Sequence, residues 1–262
     1  SRAIQRNTKE EVAMKVVVVG ASGTMGSLVC NQLGERGVQV VEAHRGNGVD
    51  AQTGAGLAAA VAGADVVVDC LNNITQSASK AKEFFGTAAR NIAEAARAAG
   101  ARVVCLSISN AADPAVNRRM GYYQGKAEQE AVYREILGDR VTFVRTTQWF
   151  ELADTLSDRM SVGPLAVMPH MVTAPLAASD GAVVIADAVL GTAHQGKAVV
   201  EVRGPAQMDL IDVARASRKA RGVSGAVIPI RFGGKALRDG SLIPDPADVV
   251  TPMTLQQWLA GR

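Results

Sequence analysis

The chain has 262 residues, 48% hydrophobic, 20% charged and 4% aromatic, with a formal net charge of +3. That length supports one large α/β domain with a small appended lobe, and the composition is that of an ordinary folded protein rather than a disordered one. The mild positive charge is scattered along helical segments without interleaved aromatics, which argues against nucleic acid, and no apolar run reaches the roughly 20 residues of a membrane span, because Asp65 and Asp69 interrupt the longest candidate, Val61 to Leu71.

Ser1 to Ala13 are polar and precede Met14-Lys15-Val16, so they read as an expression remnant or a disordered extension outside the fold. Lys15 to Val19 carries four consecutive valines, the pattern of a strand buried on both faces. It runs into Gly20-Ala21-Ser22-Gly23-Thr24-Met25-Gly26 and then an apolar helical stripe at Met25, Leu28, Val29 and Leu33. Glycines 20, 23 and 26 therefore sit at a strand-to-helix turn. There, missing side chains let backbone amides approach a pyrophosphate while the helix N-terminus supplies partial positive charge. The plainer alternative is a tight turn with close helix packing.

Val38 to Val41 predicts a second strand, followed by Glu42-Ala43-His44-Arg45-Gly46. At this place an acidic residue accepts from the adenosine ribose, whereas a basic one accommodates a 2′-phosphate. The count falls on His44 and Arg45, and a guanidinium forks well onto phosphate oxygens, so NADP(H) is expected in preference to NAD(H). Glu42 lies two residues earlier, within reach of the ribose if the strand ends sooner, and Arg45 and His44 also read as solvated surface residues. Asp50, after Val49 at an expected strand end, is placed to accept from the adenine amino group or to cap a loop.

A helix over 56–62, a strand over 65–70, a helix over 79–99, a strand over 102–108, a helix over 122–137 and a strand over 141–145 continue the alternation. This predicts βαβ units and a Rossmann-type doubly wound α/β fold with a parallel sheet, its nucleotide-binding core spanning residues 14–150. Beyond Gln148, Pro164, Pro169 and Pro175 interrupt the pattern before a helix over 181–190, a strand over 198–202, a helix over 209–221, a strand over 226–230 and a closing segment over 254–260. Residues 151–262 are expected to complete the fold and to form a small C-terminal substrate-binding lobe over the carboxyl ends of the strands. Within it, Met160 to Leu176 is mainly apolar, with His170 as a polar candidate for substrate contact or a plain loop histidine.

Tyr122 and Lys126 stand four apart at the head of a predicted helix and so share a face, where the ammonium favours the phenolate and lowers the phenol pKa. A phenol tuned in that way exchanges a proton with a carbonyl or alcohol. The preceding strand ends in Leu106-Ser107-Ile108-Ser109, so Ser107 or Ser109 is placed to donate to the substrate oxygen, unless both are turn formers. Cys30, Cys70 and Cys105 are isolated in apolar contexts and read as small buried hydrophobes of a reducing, cytoplasmic compartment. His44, His170 and His194 stand alone, so no metal is expected, and no Ser-His-Asp set suggests a hydrolase.

The glycine turn after Val16 to Val19, Val49-Asp50, Asp65 to Asn72, Leu106-Ser107-Ile108, Tyr122 to Lys126 and Val144 to Phe150 together resemble the atypical short-chain dehydrogenase/reductases, and within them the bacterial NmrA-like NAD(P)H-binding oxidoreductases. The resemblance runs from about Met14 to Thr254–Ala260. It implies an NADP(H)-dependent enzyme with Gly20, Ser22, Gly23, Thr24, Met25 and Gly26 around the pyrophosphate and Arg45 on the 2′-phosphate. It further implies Leu71 and Asn72 between adenosine and nicotinamide, Tyr122 and Lys126 as the catalytic pair with Lys126 also on the nicotinamide ribose, and Gln148, Trp149 and Phe150 flanking nicotinamide and substrate. Trp149 and Phe150 read equally well as core aromatics. Relatives of this kind include cofactor-binding sensors and quinone reductases in which the tyrosine is often missing; this chain keeps it. The expected function is reduction or oxidation of a small, mainly apolar carbonyl, alcohol or quinone by a monomer or homodimer that engages neither nucleic acid nor membrane. The alternatives are a nucleotide-sensing protein without turnover, and an epimerase or dehydratase acting through a transient keto intermediate.

Overall fold

The computed structural model describes residues 13–262; of the polar N-terminal stretch, residues 1–12 lie outside that range. In chain order the elements are β1 (Lys15–Val19), α1 (Thr24–Glu35), β2 (Gln39–Ala43), α2 (Leu57–Val61), β3 (Val66–Asp69), α3 (Ala78–Ala99), β4 (Arg102–Ile108), α4 (Pro114–Asn117), α5 (Gly121–Leu137) and β5 (Val141–Thr146). There follow α6 (Phe150–Arg159), β6 (Ser161–Val162), β7 (Leu165–Pro169), β8 (Val172–Thr173), α7 (Ala178–Leu190), β9 (Val199–Arg203), β10 (Met208–Asp209), α8 (Leu210–Ala220), β11 (Val227–Ile230), β12 (Val249–Val250) and α9 (Leu255–Ala260).

Seven strands form the central sheet in the order β12-β9-β5-β4-β3-β1-β2, and every pair in it is parallel. Parallel pairing demands crossover helices on the faces, which is why the strands are apolar on both sides. Val16 and Val18 pack toward α1 and α7, Val17 and Val19 toward α2, α3 and α5. All four are buried, each stabilising the fold by about 1.5–3 kcal/mol at the upper limit. The result is the Rossmann-type α/β fold that the alternation predicts. The strand expected to end at Val49-Asp50 is absent; those residues sit in a turn, so β2 is the sheet edge.

Chain order reverses between β2, on one side of β1, and β3 on the other, and ligands of open parallel sheets bind outside the carboxyl ends at such a point. The C-terminal residues divide. β9 and β12 extend the central sheet, while α6, α8, α9, the β6-β7-β11 sheet and the β8-β10 pair build a lobe around a third apolar core that includes Met168, Leu210, Val213 and Trp258. Helix α6, not expected from the sequence, leaves β5 after only three residues and so stands over the carboxyl ends.

Candidate active site

The turn after β1 depends on two glycines in different ways. Gly20 has φ +79°, and a Cβ there would stand 3.1 Å from the Cys70 carbonyl carbon and the Leu71 nitrogen. Gly26, in the first turn of α1, would place a Cβ 2.1 Å from the Gly20 oxygen. Its absence lets the helix press onto the turn, so Gly26 stands behind the cradle and not around a bound phosphate. Gly23 caps α1 without a side-chain hydrogen bond, and no acid lies in the first turn. The electropositive end of α1 is thus free of side-chain competition, and the turn fits a pyrophosphate.

A cleft of about 700 Å³ opens before this turn, walled on one side by Gly20, Ser22, Gly23, Thr24 and Met25. Because β2 ends at Ala43, His44 and Arg45 are the first residues beyond it, and both face the cleft. The loop is held by the His44 amide donating to Asn47 Oδ1 at 3.0 Å and by Asn47 Nδ2 donating to the Glu42 carbonyl. Arg45 is exposed and makes no ion pair among the described residues. Glu42 is outside the wall, on the side of α1, where after burial itself it is the next influence pushing the Cys30 thiol up to about 11. Asp50 is in the wall, and its carboxylate accepts from the Gln52 amide at 2.8 Å, which closes the turn.

A second cavity of about 100 Å³ adjoins the cleft and shares Leu71, Asn72, Trp149 and Leu152 with it. Tyr122, Lys126, Ser107 and Gln148 reach its wall together with apolar Ile108, Leu156 and Met171. The Tyr122 hydroxyl donates to Asn72 Oδ1 at 3.0 Å, and its ring meets Phe85 edge-on. Lys126 is not the phenol's counter-charge here. Its Nζ donates to the Leu106 carbonyl at 2.8 Å and lies 4.6 Å from the Phe85 ring centroid. Burial accordingly pushes the Tyr122 phenol well above its ordinary value, opposite to the lowering expected from the pair.

Ser107 reaches the cavity with its proton already committed, since Oγ donates to Glu130 Oε1 at 2.7 Å. Burial alone would raise the Glu130 carboxyl, but Arg145, Ser107 and Arg134 together hold it below the carboxylate range, so it acts only as an acceptor. Ser107 therefore offers lone pairs to the cavity, where donation was expected. Ser109 faces neither cavity; its Oγ donates to Glu201 Oε2 at 2.8 Å, and Glu201 pairs with Arg145. Gln148 Nε2 donates to the Tyr123 hydroxyl at 2.6 Å, and its Oε1 accepts from Thr173.

The two aromatics after β5 part company. Trp149 borders both cavities, with Nε1 donating to Thr146 Oγ1 at 3.0 Å, whereas Phe150 is fully buried in the lobe core against Trp258, because the start of α6 turns it away. His170 also lies outside both cavities. Its Nδ1 is 2.6 Å from Asp209 Oδ2, the N-cap of α8. Burial would raise the Asp209 carboxyl, but hydrogen bonds from His170 and from the Met171 and Ile211 amides hold it low.

Sequence reasoning missed the rest of the inner face of α5: Gln129, Glu130 and Tyr133 follow Lys126 at helical spacing, and all four are buried. Gln129 and Tyr133 both donate to Asp69 Oδ2, at 2.7 and 2.8 Å, while Asp69 Oδ1 accepts from the Leu71 amide at 2.9 Å. Asp69 thus fixes Leu71 in the wall and ties α5 to it. Also missed were Leu152, Thr155 and Arg159 of α6, whose signal was present: Phe150, Ala153 and Leu156 at helical spacing, Glu151 in the first turn and Arg159 in the last.

The model of the NAD-dependent epimerase/dehydratase family matches residues 16–129, which is less than half of the chain. No curated protein matches it. Among solved structures, MoeE5 in complex with UDP-glucose and NAD has a TM-score of 0.69 at 17% identity, over 94% of this chain and 96% of that one. UDP-N-acetylglucosamine 4-epimerase from Bacillus cereus has 0.66 at 15%, over 95% and 98%. The dTDP-4-dehydrorhamnose reductase from Bacillus anthracis in complex with NADP has 0.63 at 16%, over 90% and 88%. At these identities the likeness establishes the fold.

Proposed function

We propose that the protein is an NADP(H)-dependent oxidoreductase of a small, mainly apolar carbonyl or alcohol, of the NmrA-like kind that its motifs resemble. The observation that carries the reading is the junction of the two cavities: Tyr122 and Asn72 meet where a 700 Å³ cleft with a phosphate cradle opens into a 100 Å³ apolar cavity. When bound, the nicotinamide supplies or takes the hydride. In reduction, Tyr122 would give its proton to the carbonyl oxygen and recover one from solvent; in oxidation its phenolate would take the proton of the alcohol. A phenol with a raised pKa is protonated at neutral pH and suits the acid role. Lys126 holds the end of β4 through Leu106, and Ser107, its proton on Glu130, presents only lone pairs to the cavity. Arg45 supports NADP(H) over NAD(H), because Glu42 lies outside the wall and the Asp50 carboxylate, which is in it, is engaged by the Gln52 amide.

The test is consumption of NADPH and of NADH over a panel of ketones, aldehydes and quinones. Turnover with NADPH preferred is expected. Binding without consumption of any member would overturn the reading in favour of a sensor. The family match over residues 16–129 favours one other chemistry, epimerisation or dehydration with the cofactor recycled, which would give product without net NADPH loss.

A further inference from the structure

We propose that Arg159 binds the pyrophosphate of the dinucleotide from the side of the cleft opposite the glycine turn, an inference that rests on the dinucleotide reading above. The side chains that carry full charge in the cleft wall are Arg45, Asp50, Glu151 and Arg159. Both carboxylates are occupied. Asp50 accepts from the Gln52 amide, and Glu151 accepts from the Ala178 amide at 3.1 Å and from Trp258 Nε1 at 3.0 Å. Neither arginine makes an ion pair among the described residues.

For Arg159 that is a consequence of how α6 is docked. Asp154 and Asp158 of its own helix lie off its face and are engaged elsewhere, Asp154 by Arg221 and Arg262 and Asp158 by Arg221. These acids face the lobe, where Ser217 of α8 also donates to Asp154. The opposite stripe of the helix, Leu152, Thr155 and Arg159, faces the cleft at helical spacing. Leu152 borders the junction with the second cavity, and seven residues of helix carry Arg159 about 10 Å along α6 from it, deeper into the cleft and away from Tyr122.

Charge balance gives the same answer. The glycine turn offers backbone dipoles but no cation, and Arg45 belongs to the adenosine end. A pyrophosphate seated on α1 would have a single guanidinium available to it, and a planar fork of N–H donors is well suited to bridge its oxygens. The residue comes from the C-terminal lobe, so the bound cofactor would link the lobe to the nucleotide-binding half.

The experiment is equilibrium binding of NADPH and NADH, read by quenching of the protein's tryptophan fluorescence, for the unaltered protein, Arg159→Gln, Arg159→Lys and Arg45→Gln. Arg159 is exposed, so its variants keep the fold. Arg159→Gln is expected to weaken both nucleotides by the same factor, on the order of ten-fold, with a smaller loss for Arg159→Lys, while Arg45→Gln weakens NADPH alone. Unchanged binding of both nucleotides by Arg159→Gln would overturn the inference and leave the dinucleotide reading standing. A loss confined to NADPH would also overturn it, since the contact would then be to the 2′-phosphate. If the unaltered protein bound neither nucleotide, the reading and the inference would fall together.

Discussion

The Tyr122 hydroxyl donates 3.0 Å to Asn72 Oδ1, so one hydrogen bond joins the first turn of α5 to the loop leaving β3, at the meeting point of the two cavities. Replacing Tyr122 with Phe removes the proton donor and leaves the cleft intact. The expected result is unchanged NADPH affinity with kcat lower by about 10²–10⁴-fold. Turnover within a few-fold of the parent would remove Tyr122 from the chemistry.

The pH dependence of that step has a definite sign. Burial raises the Tyr122 pKa, so the phenol is protonated throughout the range below its ordinary value of about 10. Carbonyl reduction should run at a flat rate from about pH 6 to 9, while alcohol oxidation, which needs the phenolate, should climb toward alkaline pH. A reduction rate that fell steeply across neutral pH would assign the proton to another group.

Arg45→Asp places a carboxylate where a 2′-phosphate is expected. NADPH binding should weaken by roughly 10–100-fold while NADH binding holds or improves, inverting the preference. Dissociation constants for the two nucleotides decide it, and equal losses for both would point to the fold of the loop instead.

Gly26→Ala tests the packing role assigned to that glycine. The added methyl would stand 2.1 Å from the Gly20 oxygen, so α1 must move off the turn. A cost of about 1–3 kcal/mol is expected, read as a lower melting temperature by roughly 2–4 °C per kcal/mol, together with weaker binding of both nucleotides.

Glu130 makes stability acid-labile. Its folded pKa is held below the ordinary 4.5, so its contribution is complete above that value and is lost as the pH falls through the folded one. Glu130→Gln should cost about 1–3 kcal/mol near neutrality, because Arg145 is left with Glu201 and Arg134 loses its partner, and the variant should be less sensitive to acid than the parent. Melting curves between about pH 3 and 7 measure both effects.

Phe150 and Trp149 are adjacent in sequence but differ in surroundings. Phe150→Ala should destabilise by about 3–5 kcal/mol with KM nearly constant, as expected for a residue stacked on Trp258 within the lobe. Trp149→Ala should instead raise KM for nucleotide or substrate, since its ring borders both cavities.

The parts of the site visible in the sequence are those set by short-range pattern. Four valines, three spaced glycines and Tyr122 with Lys126 each specify local geometry within a few residues, and the strand-helix alternation orders them into a sheet. Partners across long separations were out of reach. Nothing near Asp69 in sequence announces Gln129 or Tyr133, and Glu130 says nothing of Arg145 or Ser107 until the sheet is assembled. Spacing puts Lys126 and one of the two candidate serines, Ser107, in the cavity wall but says nothing of their bonding, because a buried donor binds whatever acceptor the fold brings to it. Helix α6 is hidden for another reason: its N-cap is Trp149, whose side chain makes no cap hydrogen bond, so no Ser, Thr, Asp or Asn marks where the helix begins.

The inner face of α5 has an implication for adaptability. An oily helix seat tolerates small rotations, since dispersion contacts exchange freely, but the bonds that Lys126, Gln129 and Tyr133 donate to fixed acceptors, and the one that Glu130 accepts from Ser107, work like the teeth of a key. Substitutions that remould the apolar cavity can therefore accumulate around Tyr122 without changing the angle at which its hydroxyl is presented. Retargeting such a scaffold to a new substrate is then a matter of lining, with the proton donor kept in register by a helix that has only one way to sit.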